Sequence, residues 1–162
     1  MASALMFTTS AVAQQHCTGP QIGTWKLQSF EAHDLKTGEK SEPLGAHPTG
    51  YITYGPDCRM QVIVTADGRK APVNLVPTDA ERIELYGGLE AYAGTYSIEV
   101  DIISHHIDAS WNQFWTGRTQ ARPFKIDGNT LRIEAHGKLA AGQSNSPTGR
   151  ETFSVITWTK VE

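Results

Sequence analysis

Period two runs through this sequence. Met60, Val62 and Val64 fall on one side of a short run, and Gln61, Ile63 and Thr65 fall on the other. Such alternation belongs to strands with one face in a core and one in water. Tyr92, Gly94, Tyr96 and Ile98 alternate with Ala93, Thr95 and Ser97 in the same way. Gln120, Arg122, Phe124 and Ile126 share one face of a later run. Turn residues separate the runs: Gly55-Pro56-Asp57 and Asp127-Gly128-Asn129 mark hairpins. The reading gives strands over residues 23–32, 49–54, 58–65, 92–99, 101–109, 118–126, 130–135 and 151–160. Trp25, Leu27 and Ser29 share a face of the first, while Phe153, Val155, Ile156 and Trp158 supply bulk in the last. One stretch departs from the pattern. Thr78 or Asp79 can cap a helix with Glu81 in its first turn. Ile83, Tyr86 and Leu89-Glu90 then form a helical stripe, ending near Gly87-Gly88, that would cover one end of the strand assembly. Residues 137–149, rich in Gly, Ser and Ala, read as a mobile loop.

Sequential hairpins leave two open edges unless the last strand pairs with the first. The expected fold is therefore all-β: a closed antiparallel up-and-down β-barrel of about eight strands with one short helix. A barrel of that size has room inside for side chains or one small ligand. The length of 162 residues fits one such domain. Hydrophobic residues at 39% supply one core, and the composition excludes a disordered chain. A net charge of -3 offers no basic face for nucleic acid. No apolar stretch approaches the roughly 18 residues of a membrane span.

The first residues point to a compartment. Positions 2–13 carry no charge and end in Ala11-Val12-Ala13, small residues where signal peptidase requires them. Cleavage is placed between Ala13 and Gln14, although no Lys or Arg precedes the apolar run. This divides the chain into a signal remnant (1–13), an extension (14–21) and a barrel domain (22–162), in a periplasmic or secreted protein. The chain has two cysteines, Cys17 and Cys58. An even count in an oxidising compartment predicts one disulfide.

Gly23-Thr24-Trp25 resembles the Gly-x-Trp opening of lipocalins. Further motifs follow in order: Gly50-Tyr51-Ile52-Thr53-Tyr54, Tyr92-Ala93-Gly94-Thr95-Tyr96, His105-His106-x-x-x-Ser110, Trp115-x-Gly117-x-x-Gln120-x-Arg122-x-Phe124, Leu131 and Trp158. Together they resemble the bacterial and fungal lipocalin-like domain family of small calycin-type barrels. The resemblance spans residues 22–160 and departs at Cys58, where a small turn residue is expected, and in the 137–149 loop. It implies a ligand-sized cavity. Some related barrels act as cyclases or isomerases and others only bind, so the fold leaves the activity open.

Several residues carry candidate chemistry. His105 and His106 are neighbours on a strand, so only one can face inward, and the alternation allows either. An inward imidazole is a candidate acid or base, or else a structural hydrogen-bonding group. Arg122 shares its face with Phe124 and Ile126; an inward guanidinium must be paired, by an internal acid or by a carboxylate ligand. Gln120, one step along, adds a donor and an acceptor. Tyr92 and Tyr96 can offer phenols to a ligand or pack in the core. Trp111, Phe114 and Trp115 are a flap over the mouth, a partner surface or a plug. Tyr92, Tyr96, His106, Trp111, Trp115, Gln120, Arg122 and Phe124 are the candidate ligand-lining set, with His105, His106 and Arg122 as catalytic candidates. His16, His33, His47 and His136 are scattered without metal spacing, so no metal and no cofactor is expected. The expected function is binding of a small apolar or amphipathic molecule, with an isomerase or cyclase on the same cavity and a ligand-free structural barrel as alternatives.

Overall fold

A computed structural model describes residues 16–139 and 150–161. Its elements are β1 (Gly23–Asp34), β2 (Lys40–Ser41), β3 (Thr49–Tyr54), β4 (Arg59–Thr65), α1 (Asp79–Gly87), β5 (Leu89–Glu99), β6 (Ile102–Ser110), β7 (Thr119–Asp127), β8 (Thr130–Leu139) and β9 (Arg150–Lys160). Strands β3 to β9 pair antiparallel in sequence order, and β1 pairs with both β3 and β9. The sheet is thus a closed eight-stranded antiparallel barrel. The two-residue β2 attaches to β1 outside that ring, through Ala32 and His33.

Inward side chains fill the core as the alternation requires. Trp25, Leu27, Ile52, Tyr54, Met60, Val62, Val64, Tyr96, Ile103, Ile107, Leu131, Ile133, Ile156 and Trp158 are all buried. The face of β1 is more complicated than the sequence reading. Its register on β9 slips between Leu27 and Ser29, so the extra residue turns Phe30 and Ala32 inward and leaves Ser29 off the core face. A second slip lies between Ala93 and Gly94 on β5, opposite Ala109 and Ile107. Here β6 comes so near that a Cβ on Gly94 would overlap the carbonyl oxygen of His106.

The end of the barrel holding Trp25, Tyr54 and Tyr96 is sealed by the segment before β1. The Trp25 indole N–H donates to the Gln21 carbonyl at 2.7 Å, and the Gln21 amide donates to the Thr18 carbonyl at 2.9 Å. Lys160 lies over the Trp25 ring and donates to the Pro20 carbonyl. Cys17 and Cys58 form the expected disulfide, with Cα atoms 5.1 Å apart. Cys58 sits at φ 60°, in the left-handed region, which explains why a small turn residue fits there better than a cysteine.

Three expectations about the connections change. Helix α1 begins where Thr78 predicts: its hydroxyl accepts from the Glu81 N–H, and the Glu81 carboxylate accepts from the Thr78 N–H at 2.7 Å. No residue of α1 is buried, however, and Ile83 is 75% exposed, so the apolar stripe does not cap the barrel. Leu89 and Glu90 are not helical; the chain turns at Gly88 and they open β5. At the other loop, β8 runs on to Leu139, so ladder pairing with β9, which starts at Arg150, absorbs the first residues of the expected 137–149 loop. The rest of that loop, and the proposed cleavage after Ala13, lie outside the described residues.

Candidate functional site

His105 is the inward member of the histidine pair. It projects from the middle of β6, between Tyr96 on β5 and Gln120 on β7, and is fully buried. Its Nε2 is 2.8 Å from the Tyr54 hydroxyl and its Nδ1 is 3.1 Å from the Tyr92 hydroxyl. The bond to Tyr54 crosses the interior from β6 to β3. Burial, with the Arg122 charge and then His106 adding to it, holds the His105 pKa well below the usual histidine range, so the ring is neutral. Burial likewise raises the phenol pKa values of Tyr54 and Tyr92. The result is a neutral Tyr–His–Tyr bridge.

His106, placed by sequence among the ligand-lining residues, does not face the interior. It points outward, with Nε2 3.1 Å from the Ser97 hydroxyl and Nδ1 2.8 Å from the Thr119 hydroxyl. The one-residue offset that turns His105 in must turn His106 out.

Arg122 and Gln120 point inward from β7, and the guanidinium donates to the Gln120 side-chain oxygen. From there the charge of Arg122 acts on Tyr54, Tyr92, His105 and Glu90. Glu90 enters from the start of β5, on the face of Tyr92. Burial raises its pKa, with Arg122 opposing. No ion pair joins Arg122 to Glu90 among the described residues.

Aromatic side chains frame the end where β5 begins. Trp115 packs edge-on against Tyr92, ring centres 5.5 Å apart, and against Trp111 at 4.7 Å. Tyr86 of α1 reaches Trp111 at 6.3 Å, so the helix touches the barrel rim through one ring. Phe114 stays 65% exposed under the Arg118 guanidinium. Tyr96 instead belongs to the sealed end, its hydroxyl donating to the Gly55 carbonyl at 3.0 Å.

Burial is uneven around the ring. Inward residues of β1, β3, β4 and β6 are buried, whereas Gln120, Arg122, Phe124 and Ile126 of β7 are all only half-buried, as are Glu90 and Trp115. Solvent reaches the interior along β7. The candidate set therefore separates: Tyr92, Trp115, Gln120, Arg122 and Phe124 gather on that side with Trp111 at the rim, while Tyr96 and His106 do not. Sequence reading missed Tyr54 and Glu90. Tyr54 shares the face of Gly50 and Ile52, a signal that alternation carried; Glu90 was hidden by its assignment to the helix.

The sequence profile of the lipocalin-like domain family matches residues 22–161. The chain belongs to the lipocalin-like domain family. Among solved structures, this lipocalin-like barrel is similar to a redesigned beta barrel at 12% identity, covering 88% of this chain and 92% of that one, with a TM-score of 0.41. It is also similar to an uncharacterized protein from Bacteroides eggerthii at 10% identity, covering 87% and 99%, with a TM-score of 0.40. EF1p2_mFAP2b bound to DFHBI matches at 12% identity over 87% and 94%, with a TM-score of 0.41. No curated protein matches the sequence. Among the described residues no group of His, Cys, Asp and Glu is arranged to hold a metal, and no helix is long and apolar enough to cross a membrane.

Proposed function

We propose that the barrel binds a small apolar or amphipathic molecule in its interior and that the protein is periplasmic or secreted. The contrast in burial carries the binding reading: one side of the interior is packed dry, and the β7 side is still reached by solvent. Trp115, Phe124 and Ile126 supply an apolar wall there, and Arg122, Gln120 and Tyr92 supply the few polar groups that orient a guest. The lipocalin-like barrel is a fold suited to ligand binding in general. Export is supported by the uncharged leader ending in Ala11-Val12-Ala13 and by a disulfide, a bond that persists in oxidising compartments.

Native mass spectrometry on protein purified from its source compartment, without reductant, tests both parts. The expected species starts at Gln14, lacks two hydrogens and carries a small-molecule adduct. An intact Met1 or two free thiols refutes export. A protein that carries no adduct and does not take up Nile red saturably refutes binding. A second reading, an isomerase- or cyclase-type enzyme, is favoured by one observation: a neutral imidazole between two phenols beside a guanidinium is a path for proton transfer. Chemical change in the released molecule on re-incubation with the protein selects it.

A further inference from the structure

Resting on the binding reading, the hydrogen inventory of the interior identifies the ligand's polar group. Tyr54, His105 and Tyr92 are joined by two hydrogen bonds. A neutral imidazole has one N–H, so one ring nitrogen donates and the other accepts. Two phenol hydrogens and one N–H make three hydrogens for two bonds. Whichever tyrosine accepts from the ring keeps a hydroxyl hydrogen free to donate elsewhere. Tautomer exchange at His105 moves that free hydrogen between Tyr54 and Tyr92, so Tyr92, on the open side, is able to present it.

Other donors are in the same position. Arg122 has five N–H groups, of which one is seen to donate to Gln120. Among the described residues it makes no ion pair. The indole N–H of Trp158, an inward and buried residue of β9, meets no acceptor among the described residues. Against these stands, among the described residues, one inward carboxyl, Glu90, half-buried at the start of β5. A half-buried set of inward groups with spare donors is mismatched to a ligand that brings further hydrogens, because each unpaired buried donor costs free energy.

We infer that the interior takes an apolar molecule bearing one carboxylate, whose oxygens accept from the Arg122 guanidinium and from the free phenol hydrogen of the Tyr54–His105–Tyr92 bridge. The carboxylate brings acceptors and no hydrogen, and it meets the one inward guanidinium with charge-assisted bonds. Trp115 and Phe124 lie where the apolar body would run.

The test uses the intact, disulfide-bonded protein and three probes with the same hydrocarbon chain: decanoate, decanol and decylamine. Affinities come from quenching of tryptophan fluorescence, checked by calorimetry. The expected order is decanoate first, about ten- to a hundredfold tighter than decanol, with decylamine weakest. Arg122→Gln is expected to narrow the gap between decanoate and decanol to within about threefold, and Tyr92→Phe to narrow it in part. Equal affinity for decanoate and decanol in the native protein, or a preference for decylamine, overturns the carboxylate assignment while leaving the binding reading intact. Failure of all three probes to bind saturably overturns both. The comparison on native protein stands even if either variant fails to fold.

Discussion

Removal of the Cys17–Cys58 bond is the perturbation whose size follows most directly from the structure. The two cysteines are 41 residues apart in sequence, and the bond fixes the segment that seals the Trp25 end. Its effect falls on the unfolded chain, which loses loop-closure entropy when cross-linked. The chain-entropy relation for a loop of 41 residues gives about 4 kcal/mol at room temperature. For a barrel of this size that corresponds to a melting point lower by about 8–16 °C in a Cys17→Ala/Cys58→Ala variant. In urea the midpoint should fall and the slope should rise, because the unfolded chain is released to expose more surface. A second comparison isolates the backbone at position 58. Its left-handed φ of 60° penalises any residue with a Cβ, so Cys17→Ala/Cys58→Gly should be about 1 kcal/mol more stable than the double alanine. Urea unfolding followed by tryptophan fluorescence measures both differences. A loss below about 1 kcal/mol for the double alanine would refute the entropic reasoning. A glycine variant less stable than the alanine one would refute the reading of the turn.

Two further outcomes are expected. Tyr54→Phe removes a buried hydrogen bond and leaves Nε2 of His105 without its partner, for an expected loss of about 2 kcal/mol in urea unfolding; an unchanged midpoint would contradict the bridge. Stability should also depend on pH with two opposing slopes. His105 ordinarily titrates near 6.5 and is held well below that when folded, so the unfolded chain takes up the proton first, and stability falls as pH drops below about 6.5, by at most about 1.4 kcal/mol per pH unit. Glu90 ordinarily titrates near 4.5 and is raised when folded, so its contribution falls as pH rises above about 4.5. The slopes oppose each other between those values. His105→Gln should remove the decline that sets in as pH drops below about 6.5, and Glu90→Gln the decline that sets in as pH rises above about 4.5; the same profile in both variants would show that neither group governs it.

Strand content was legible because the barrel imposes a strict division between inside and outside, and period two is its direct record. Met60, Val62 and Val64 are buried as their spacing requires, and the same logic brought Arg122 and Gln120 inward. Legibility failed where a local event changes the phase of that record. The slip after Leu27 exchanged Ser29 for Phe30, and no residue type announces such a bulge. At the α1–β5 junction Leu89 and Glu90 satisfied helical spacing as well as strand spacing, and the ladder to Val64 and Thr65 decided between them. The bridge on His105 was out of reach for another reason. Tyr54 and His105 are 51 residues apart, and only ring closure brings β3 across from β6.

Closure by β1 and β9 has a consequence for the birth of the chain. The partner of Trp25 and Leu27 on that side is β9, the last strand of the barrel to be synthesised. Until then β1 has only β3 and the two-residue β2 beside it, and the row of N–H and C=O groups that β9 will pair stands open. The ring cannot close before β9 is made, and contacts of such long range close slowly. The seam that completes the barrel is therefore the last to be made.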